Sequence, residues 1–198
     1  MALCIRLATG HDADQIAAIY APVVRNTAIS FELEPPTIQE MEQRIQQTLR
    51  QFPWLVCEQA NVILGYVYAS PHRARPAYQW SVDTTVYVHH AYRGHAVGRA
   101  LYTALLKVLP LQGYYNAYAG IALPNAASVG LHEAVGFEAV GVYHHVGYKL
   151  GQWHDVGWWQ VGLQAHVTTP TAPLPLSAVQ DTAAWHNNVS AGLPFLRL

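Results

Sequence analysis

The stretch from Trp80 to Leu111 constrains the fold of this chain more than any other segment. Residues 81–88 alternate in character and are rich in β-branched and aromatic side chains, which is typical of a strand. Small and basic residues follow at 93–98, and from there on apolar residues recur at helical spacing. A strand, a short loop of small residues and a helix together aim backbone N–H groups and a helix dipole at an anion, usually a phosphate. The stretch therefore predicts an anion-binding turn at the start of a helix.

The low charge of the chain limits the partners that it takes. The 198 residues carry a net charge of -1, whereas a nucleic-acid-binding protein normally shows a strong basic surplus. Charged residues make up 12% of the chain and apolar residues 52%, which indicates either a surface covered by a partner subunit or a surface of uncharged polar residues. No apolar run approaches the ~20 residues needed to span a bilayer. We therefore expect neither a nucleic acid nor a membrane as partner.

The cysteines and histidines indicate a reducing compartment and no metal. Cys4 and Cys57 lie in apolar, strand-like contexts without metal-ligand spacing, which predicts free thiols. The first residues lack the pattern of a secretory signal peptide. The histidine pairs at 89–90 and 144–145 have no third ligand at a useful spacing. We expect a cytoplasmic protein without a metal site.

The order of the predicted elements indicates one domain over residues 1–164. Periodicity predicts the order β-α-α-β-β-β-α-β-α-β-β. The central strand, helix and strand form a right-handed crossover between parallel neighbours, and the four early strands, which lack room for crossovers between them, are mostly antiparallel. The predicted class is α+β, a mixed and mostly antiparallel sheet with helices on both faces. Residues 165–198 lack periodicity and predict a Pro-rich tail, disordered or draped over the surface, with Trp185 and Phe195 as residues that would dock on the body or on a partner chain.

Several motifs resemble those of one enzyme superfamily. Arg93-x-x-Ala96-x-Gly98 opens the central helix, and Asn125-x-x-Ser128 opens a later one. The same resemblance continues through the segments 52–56, 77–80, 85–88, 100–102, 123–125, 131–134 and 153–157. Together these segments resemble the GNAT N-acetyltransferase superfamily, and within it the phosphinothricin N-acetyltransferases, from about residue 4 to residue 163. The resemblance implies the GNAT acyl-CoA N-acyltransferase fold, acetyl-CoA as cosubstrate and a homodimer.

The resemblance also implies a binding site for acetyl-CoA. The pyrophosphate needs convergent N–H donors, which the loop 94–98 and the first turn of its helix supply. The edge of strand 86–88 would bind the pantetheine arm like an added strand. Ala96 stands where the family usually has Gly, and its methyl group would crowd the phosphate if φ is positive. The expected cofactor-binding residues are Val86, Tyr87, Val88, Arg93, Gly94, His95, Ala96, Val97, Gly98, Arg99, Asn125 and Ser128.

Acetyl transfer to an amine requires a group that accepts a proton, because an α-ammonium is mostly protonated at neutral pH. The resemblance implies a carboxylate on the central strand as this base, and Asp83 stands where the relatives carry Glu, which is longer by one methylene. His132 matches a family histidine beside the acceptor, and a histidine suits proton transfer near neutral pH. The choice between the two stays open. A backbone N–H near Val86 would stabilise the oxyanion of the tetrahedral intermediate.

The acceptor pocket is predicted from a basic loop. Arg73 and Arg75 lie on a proline-stiffened loop near Tyr78, and guanidinium groups suit a carboxylate or phosphinate. Phe31 would supply an apolar wall. The resemblance implies transfer to the α-amine of a small amino-acid analogue such as phosphinothricin, methionine sulfone or methionine sulfoximine. Two alternatives stay open: a GNAT enzyme that acts on a protein N-terminus or another amine, and a non-catalytic acetyl-CoA-binding module.

Overall fold

The computed structural model describes residues 3–198. Its strands are β1 (Cys4–Leu7), β2 (Trp54–Gln59), β3 (Val62–Pro71), β4 (Ser81–Val88), β5 (Asn116–Leu123), β6 (Glu138–Lys149) and β7 (Gln152–Gly162). Its α-helices are α1 (Ala13–Asn26), α2 (Ile38–Thr48), α3 (Val97–Val108), α4 (Ala126–Ala134) and α5 (Ala183–Ser190). The strands form one sheet in the order β1-β2-β3-β4-β5-β7-β6.

The sheet opens in its middle, between β4 and β5. These two strands are the parallel pair among the described strands, and every other neighbouring pair is antiparallel. Their register covers Ser81 to Asp83 and stops there, while β5 stays paired with β7 as far as Leu123. A gap between the two strands therefore begins at Thr84. The predicted mixed, mostly antiparallel α+β fold is confirmed.

Each face of the sheet carries its own apolar cluster. On the first face, α3 packs against the sheet through residues such as Leu101 and Leu105, which are fully buried. On the second face, α1 and α2 bury Ile16 and Ile45 completely. Full burial of such a side chain stabilises the fold by about 1.5–3 kcal/mol. We call these the α3 face and the α1–α2 face.

The chain after residue 164 packs against the body of the protein. Leu176, Trp185 and Val189 are buried in the cluster on the α3 face, and α5 lies against α3. The ring of Phe195 lies 4.4 Å from the guanidinium carbon of Arg99. Trp185 and Val189 stand four residues apart, but a helix of eight residues is too short to give a clear period in the sequence. The division of the chain into a domain over residues 1–164 and a tail stays a prediction.

The hairpin of β6 and β7 forms the far edge of the sheet. Its ladder runs to Lys149 and Gln152, and the turn between them holds Leu150 and Gly151 at φ 52° and 81°. Positive φ at both turn residues matches the twist of the two strands. No helix within residues 3–198 is long and apolar enough to cross a membrane.

Candidate active site

The gap between β4 and β5 holds a small cavity of about 60 Å³. On the β4 side, residues 84–88 pair with β3 and leave their other backbone edge without a strand partner. An unpaired strand edge binds an extended ligand through main-chain hydrogen bonds, as an added strand would. The cavity reaches both faces of the sheet, because Tyr102 and His132 line it from the α3 face and Ile29 lines it from the α1–α2 face.

The loop before α3 presents free backbone donors. Within residues 3–198, none of the amides from Gly94 to Arg99 donates a hydrogen bond. Because α3 begins at Val97, several of these amides belong to its first turn, where the helix dipole favours an anion. Gly98 allows the helix to dock, since a Cβ there would lie 2.8 Å from Leu131 of α4. This loop fits the pyrophosphate that the sequence predicts for it.

The sequence left the sign of φ at Ala96 open, and the structure has the unfavourable, positive value. Ala96 lies in the left-handed region, with φ 60° and ψ 17°. This conformation costs an L-residue about 1–2 kcal/mol. Neighbouring contacts hold the loop in place, because the amide of Arg197 donates to the carbonyl of His95 at 3.2 Å. The loop therefore carries an alanine in a backbone conformation that glycine would adopt without strain.

His132 lies in a buried and electrically neutral network on the α3 face. Its Nδ1 lies 2.7 Å from the carbonyl oxygen of Ser128, which only accepts, so Nδ1 donates. Its Nε2 therefore accepts the hydroxyl proton of Tyr102, at 2.7 Å. Burial lowers the pKa of His132, so the fold favours the neutral ring. Both ring nitrogens are engaged, and the ring accepts a proton only after the bond from Tyr102 breaks.

Asp83 lies on the opposite face from His132. Val82 is buried in the cluster of the α3 face and Thr84 bonds toward Tyr102, so the side chain between them points to the α1–α2 face. One carboxylate oxygen, Oδ1, lies 2.6 Å from Nδ1 of His72. Burial raises the pKa of Asp83, and the bond from His72 acts in the opposite direction. The two candidate bases are therefore separated by the strand itself.

The basic loop after β3 lines a larger cavity of about 410 Å³. Arg73, Arg75, Tyr78 and His72 all line it, so the structure brings together three of the four residues that the sequence predicts for the acceptor. The guanidinium carbon of Arg73 also lies 5.4 Å from the ring centroid of Trp158 on β7. Aromatic stacking of this kind restrains an arginine while its donors stay available.

Phe31 is placed apart from the other predicted acceptor residues. Its ring packs on Gly147, where any Cβ would collide with it, and lies 6.1 Å from His154. It lines neither of the two cavities, whereas Ile29 from the same segment lines the gap. The segment is anchored by Lys149, whose Nζ donates to the carbonyls of residues 24 and 30 at 2.6 Å each.

Two residues of the site were not predicted from the sequence, His72 and Tyr102. His72 stands two residues beyond Ser70, which pairs with Asp83 across β3 and β4. Diagonal neighbours of this kind lie on one face of a sheet, so the strand register is the signal that would have found it. Tyr102 lies on the buried stripe of α3 and gives no sequence signal beyond a core position. Within residues 3–198 no cluster of three metal-ligating side chains occurs.

A parallel strand pair that splays beside free amides at a helix start defines the class of acyl-CoA-dependent N-acyltransferases. The model of the acetyltransferase (GNAT) domain matches residues 5–158, and the chain belongs to this family. The prediction of this family from sequence motifs is confirmed. The chain is therefore an N-acetyltransferase that depends on acetyl-CoA.

Individual relatives agree with this assignment. A phosphinothricin N-acetyltransferase of Streptomyces viridochromogenes is 41% identical over 175 residues, which cover 88% of this chain and 93% of that protein. An L-methionine sulfoximine/L-methionine sulfone acetyltransferase of Salmonella typhimurium is 32% identical over 83% of this chain and 96% of its own length. A phosphinothricin acetyltransferase of Sinorhizobium meliloti, solved in complex with acetyl-CoA, superimposes with a TM-score of 0.81 at 32% identity, over 86% of this chain and 94% of that one.

Proposed function

We propose that the protein transfers the acetyl group of acetyl-CoA to the α-amine of a small amino-acid analogue, of the phosphinothricin or methionine sulfone and sulfoximine type. The relatives named above support this substrate class, because those are the substrates in their names. One structural observation carries the proposal: β4 separates from β5 directly after Asp83, whose carboxylate bonds His72, and the loop that leads from β4 to α3 presents free amides. The relatives named above do not favour the alternatives of a protein N-terminus or another amine, or of a non-catalytic module.

On the cofactor side, the backbone does most of the binding. The amides of residues 94–99 would hold the pyrophosphate, and Arg93 and Arg99 add positive charge beside them. The free edge of Val86 to Val88 would hold the pantetheine arm, and an amide near Val86 would stabilise the oxyanion. Asn125 and Ser128 line the gap, where the side chain of Asn125 accepts from the amide of Ser128 at 3.1 Å and caps α4.

On the acceptor side, side chains rather than the backbone would bind the substrate and take its proton. Asp83 and its bonded partner His72 would receive the proton that the ammonium must lose before it attacks. We assign this role to that pair rather than to His132, whose two nitrogens are both engaged. Arg73 and Arg75 would bind the carboxylate and the acidic tail of the substrate, with Tyr78 beside them. Phe31 packs on Gly147 and would hold in place the segment that brings Ile29 to the gap.

Thiol release tests the proposed function. The purified protein is mixed with acetyl-CoA and, in separate reactions, phosphinothricin, methionine sulfone, methionine sulfoximine, spermidine and a peptide with a free N-terminus. We expect turnover with the three amino-acid analogues and none with spermidine or the peptide. The N-acetylated forms of the analogues are the matched controls and should give no turnover. Release with the peptide or the polyamine alone, or tight acetyl-CoA binding without any turnover, would overturn the proposal.

The proposal includes a homodimer, which the exposed edge of the sheet supports. Val142, Tyr143, Tyr148 and Trp153 on the β6–β7 hairpin are 42%, 51%, 58% and 60% exposed. Apolar patches of this kind on an edge hairpin are normally covered by a partner. We expect Val142→Asp to be a monomer in sedimentation velocity. The control Val62→Asp, at a position that is also 42% exposed but on another part of the sheet, should leave the dimer intact. Equal behaviour of the two variants would contradict the interface.

The proposal also includes a cytoplasmic location. Both cysteines are free thiols in the structure, and Cys57 is completely buried. Unpaired cysteines are typical of reducing compartments. Localisation of a tagged full-length chain by fractionation tests this part.

A further inference from the structure

We propose that the imidazole of His72 takes the proton from the acceptor amine, and that Asp83 is a positioning residue that orients this imidazole. The inference rests on the proposed function and deepens it, because it assigns the chemistry of the acceptor side to a particular atom. It also explains how a chain with the shorter carboxylate at position 83 would reach its substrate.

The hydrogen bonds leave one nitrogen of His72 free. Nδ1 lies 2.6 Å from Oδ1 of Asp83, and a carboxylate accepts, so the proton of the neutral ring stays on Nδ1. The lone pair then belongs to Nε2, which has no hydrogen-bond partner within residues 3–198. His72 also lines the cavity that Arg73, Arg75 and Tyr78 share. A carboxylate that orients a histidine through Nδ1 and leaves Nε2 as the base is the arrangement of known catalytic pairs.

Aromatic contacts hold the ring of His72 in one orientation. It stacks on Tyr118 of β5 with centroids 4.2 Å apart and planes 17° from parallel. Tyr78 and Trp158 meet it edge-on, with centroids at 5.9 Å and 6.2 Å. The side chain is only 13% exposed. A ring held on three sides and bonded at Nδ1 is preorganised, as a proton acceptor needs to be.

The ring of His72 is surrounded by one carboxylate, two phenols and one guanidinium group. The titratable or charged neighbours are Asp83 from β4, Tyr118 from β5, Tyr78 from the loop and Arg73, which donates to the carbonyl of His72 at 2.7 Å. Asp83 is the carboxylate among them and is bonded directly to the ring. If Nε2 takes up a proton, the resulting imidazolium is already hydrogen-bonded to the carboxylate of Asp83. The guanidinium group of Arg73 packs on the ring of Trp158.

The reaction balances with His72 in this role. The α-ammonium gives one proton to Nε2, and the free amine attacks the carbonyl carbon of the thioester, which forms the C–N bond. Collapse of the tetrahedral intermediate breaks the C–S bond, and the remaining ammonium proton of that intermediate leaves with the sulfur as CoA thiol. The imidazolium then returns its proton to water. The products are the amide, CoA thiol and one proton.

His72→Gln tests the proposal, because a glutamine amide still donates to Asp83 but accepts no proton. We expect kcat/KM for the amine to fall about 100-fold, which is the usual contribution of a general base. The acidic limb of the pH profile of kcat/KM should move to higher pH, while KM for acetyl-CoA stays constant. Imidazole in the buffer should partly restore the activity of His72→Ala. His166→Gln is the matched control, because His166 also stacks on a tyrosine and bonds a side-chain oxygen, that of Asn116.

The outcomes separate this inference from the proposed function. A wild-type pH profile and rate in His72→Gln would overturn the role of His72 while the proposed function stands. Absence of thiol release from the wild type with every amino-acid analogue would instead overturn the proposed function. Where His72→Gln does not fold, ¹⁵N spectra of histidine-labelled wild type decide. We expect one imidazole that titrates at the midpoint of the acidic limb and responds to the amine, and the lack of such a histidine overturns the proposal.

Discussion

Two histidines lie on opposite faces of the sheet near the point where β4 and β5 separate, His132 lining the gap and His72 stacked on Tyr118, and their surroundings differ in what matters for proton transfer. His132, on the α3 face, uses both ring nitrogens and has a neutral partner, Tyr102. His72, on the α1–α2 face, uses one nitrogen and has a carboxylate partner, Asp83. Burial lowers the pKa of His132, which keeps the ring neutral. The comparison teaches that the number of engaged nitrogens and the charge of the partner decide which histidine suits each task.

The difference follows from the elements that carry the two residues. His132 lies on α4, which is docked against α3, so its ring belongs to a packed interior. His72 lies directly after β3, on the loop that lines the larger cavity. Loops carried by a rigid sheet place reactive groups near solvent and substrate. We therefore expect the α3 face to hold the cosubstrate and the α1–α2 face to bind the charged acceptor and take its proton.

The largest expected effect comes from Asp83→Asn, on the α1–α2 face. An asparagine can donate to Nδ1 of His72 and so stabilise the wrong tautomer, which leaves no free lone pair at Nε2. We expect kcat/KM to fall by about 100-fold or more, with the affinity for acetyl-CoA unchanged. Steady-state thiol release and calorimetric titration measure the two quantities. Asp83→Glu is the control and should keep substantial activity. Equal rates in Asp83→Asn and the wild type would remove the distinction between the faces.

The same substitution should make the protein more stable at neutral pH. Because burial raises the pKa of Asp83 in the folded state above its ordinary value of 3.8, folding favours the protonated carboxyl. Wild-type stability from this group is therefore fully present below pH 3.8 and is lost as the pH rises through the folded pKa. Asp83→Asn lacks this loss, so its advantage in the free energy of unfolding should grow from pH 3 to pH 7. Denaturant titrations across this range would contradict the assignment if the difference stayed constant.

His132→Leu, on the α3 face, should mainly affect stability. Leucine has no acceptor, so the buried hydroxyl of Tyr102 loses this hydrogen bond, which costs about 1–3 kcal/mol in the free energy of unfolding. We expect kcat to fall by roughly 10-fold or less and the acidic limb of the pH profile to stay in place. A double-mutant cycle with Tyr102→Phe measures the coupling. A displaced acidic limb would instead make His132 the proton acceptor.

His132 also makes a pH prediction of opposite sign to that of Asp83. Its folded pKa lies below the ordinary value of 6.5, so the unfolded chain binds the proton more readily. The wild type should therefore lose stability as the pH falls below 6.5, and His132→Leu should lack that loss. Chemical denaturation at pH 8 and pH 5 measures it, and an equal dependence in both proteins would contradict a buried neutral ring.

Local patterns predicted much of this molecule, because they depend on neighbours in sequence. The alternation in β4 and the apolar period of α3 both depend on residues that are close together in the chain. The pair of His72 and Asp83 depends instead on which residues of β3 and β4 face each other, and register is set by the whole sheet. The sequence therefore predicted Asp83 and missed the residue bonded to it.

The segment after residue 164 shows a second limit of local patterns. Trp185 is 3% exposed, yet its helix α5 has eight residues and a weak apolar period. Packing against α3 stabilises this helix more than its own sequence does. The sign of φ at Ala96 is a third case, because a single alanine between flexible neighbours is compatible with either sign until the loop and α3 are in place.

The smallest expected effect comes from Ala96→Gly. This variant tests whether a change on the α3 face alters the affinity for acetyl-CoA without altering proton transfer. Glycine removes a left-handed strain of about 1–2 kcal/mol and costs about 0.5–1 kcal/mol in the entropy of the unfolded chain. We expect a net gain of about 1 kcal/mol in the free energy of unfolding, and an affinity for acetyl-CoA at least equal to that of the wild type. Ala96→Val is the opposing control and should destabilise, since a β-branched residue resists positive φ. Because we propose that the amine reacts on the other face, kcat and the pH profile should not change in Ala96→Gly. A changed acidic limb in this variant would show that the two faces are not independent.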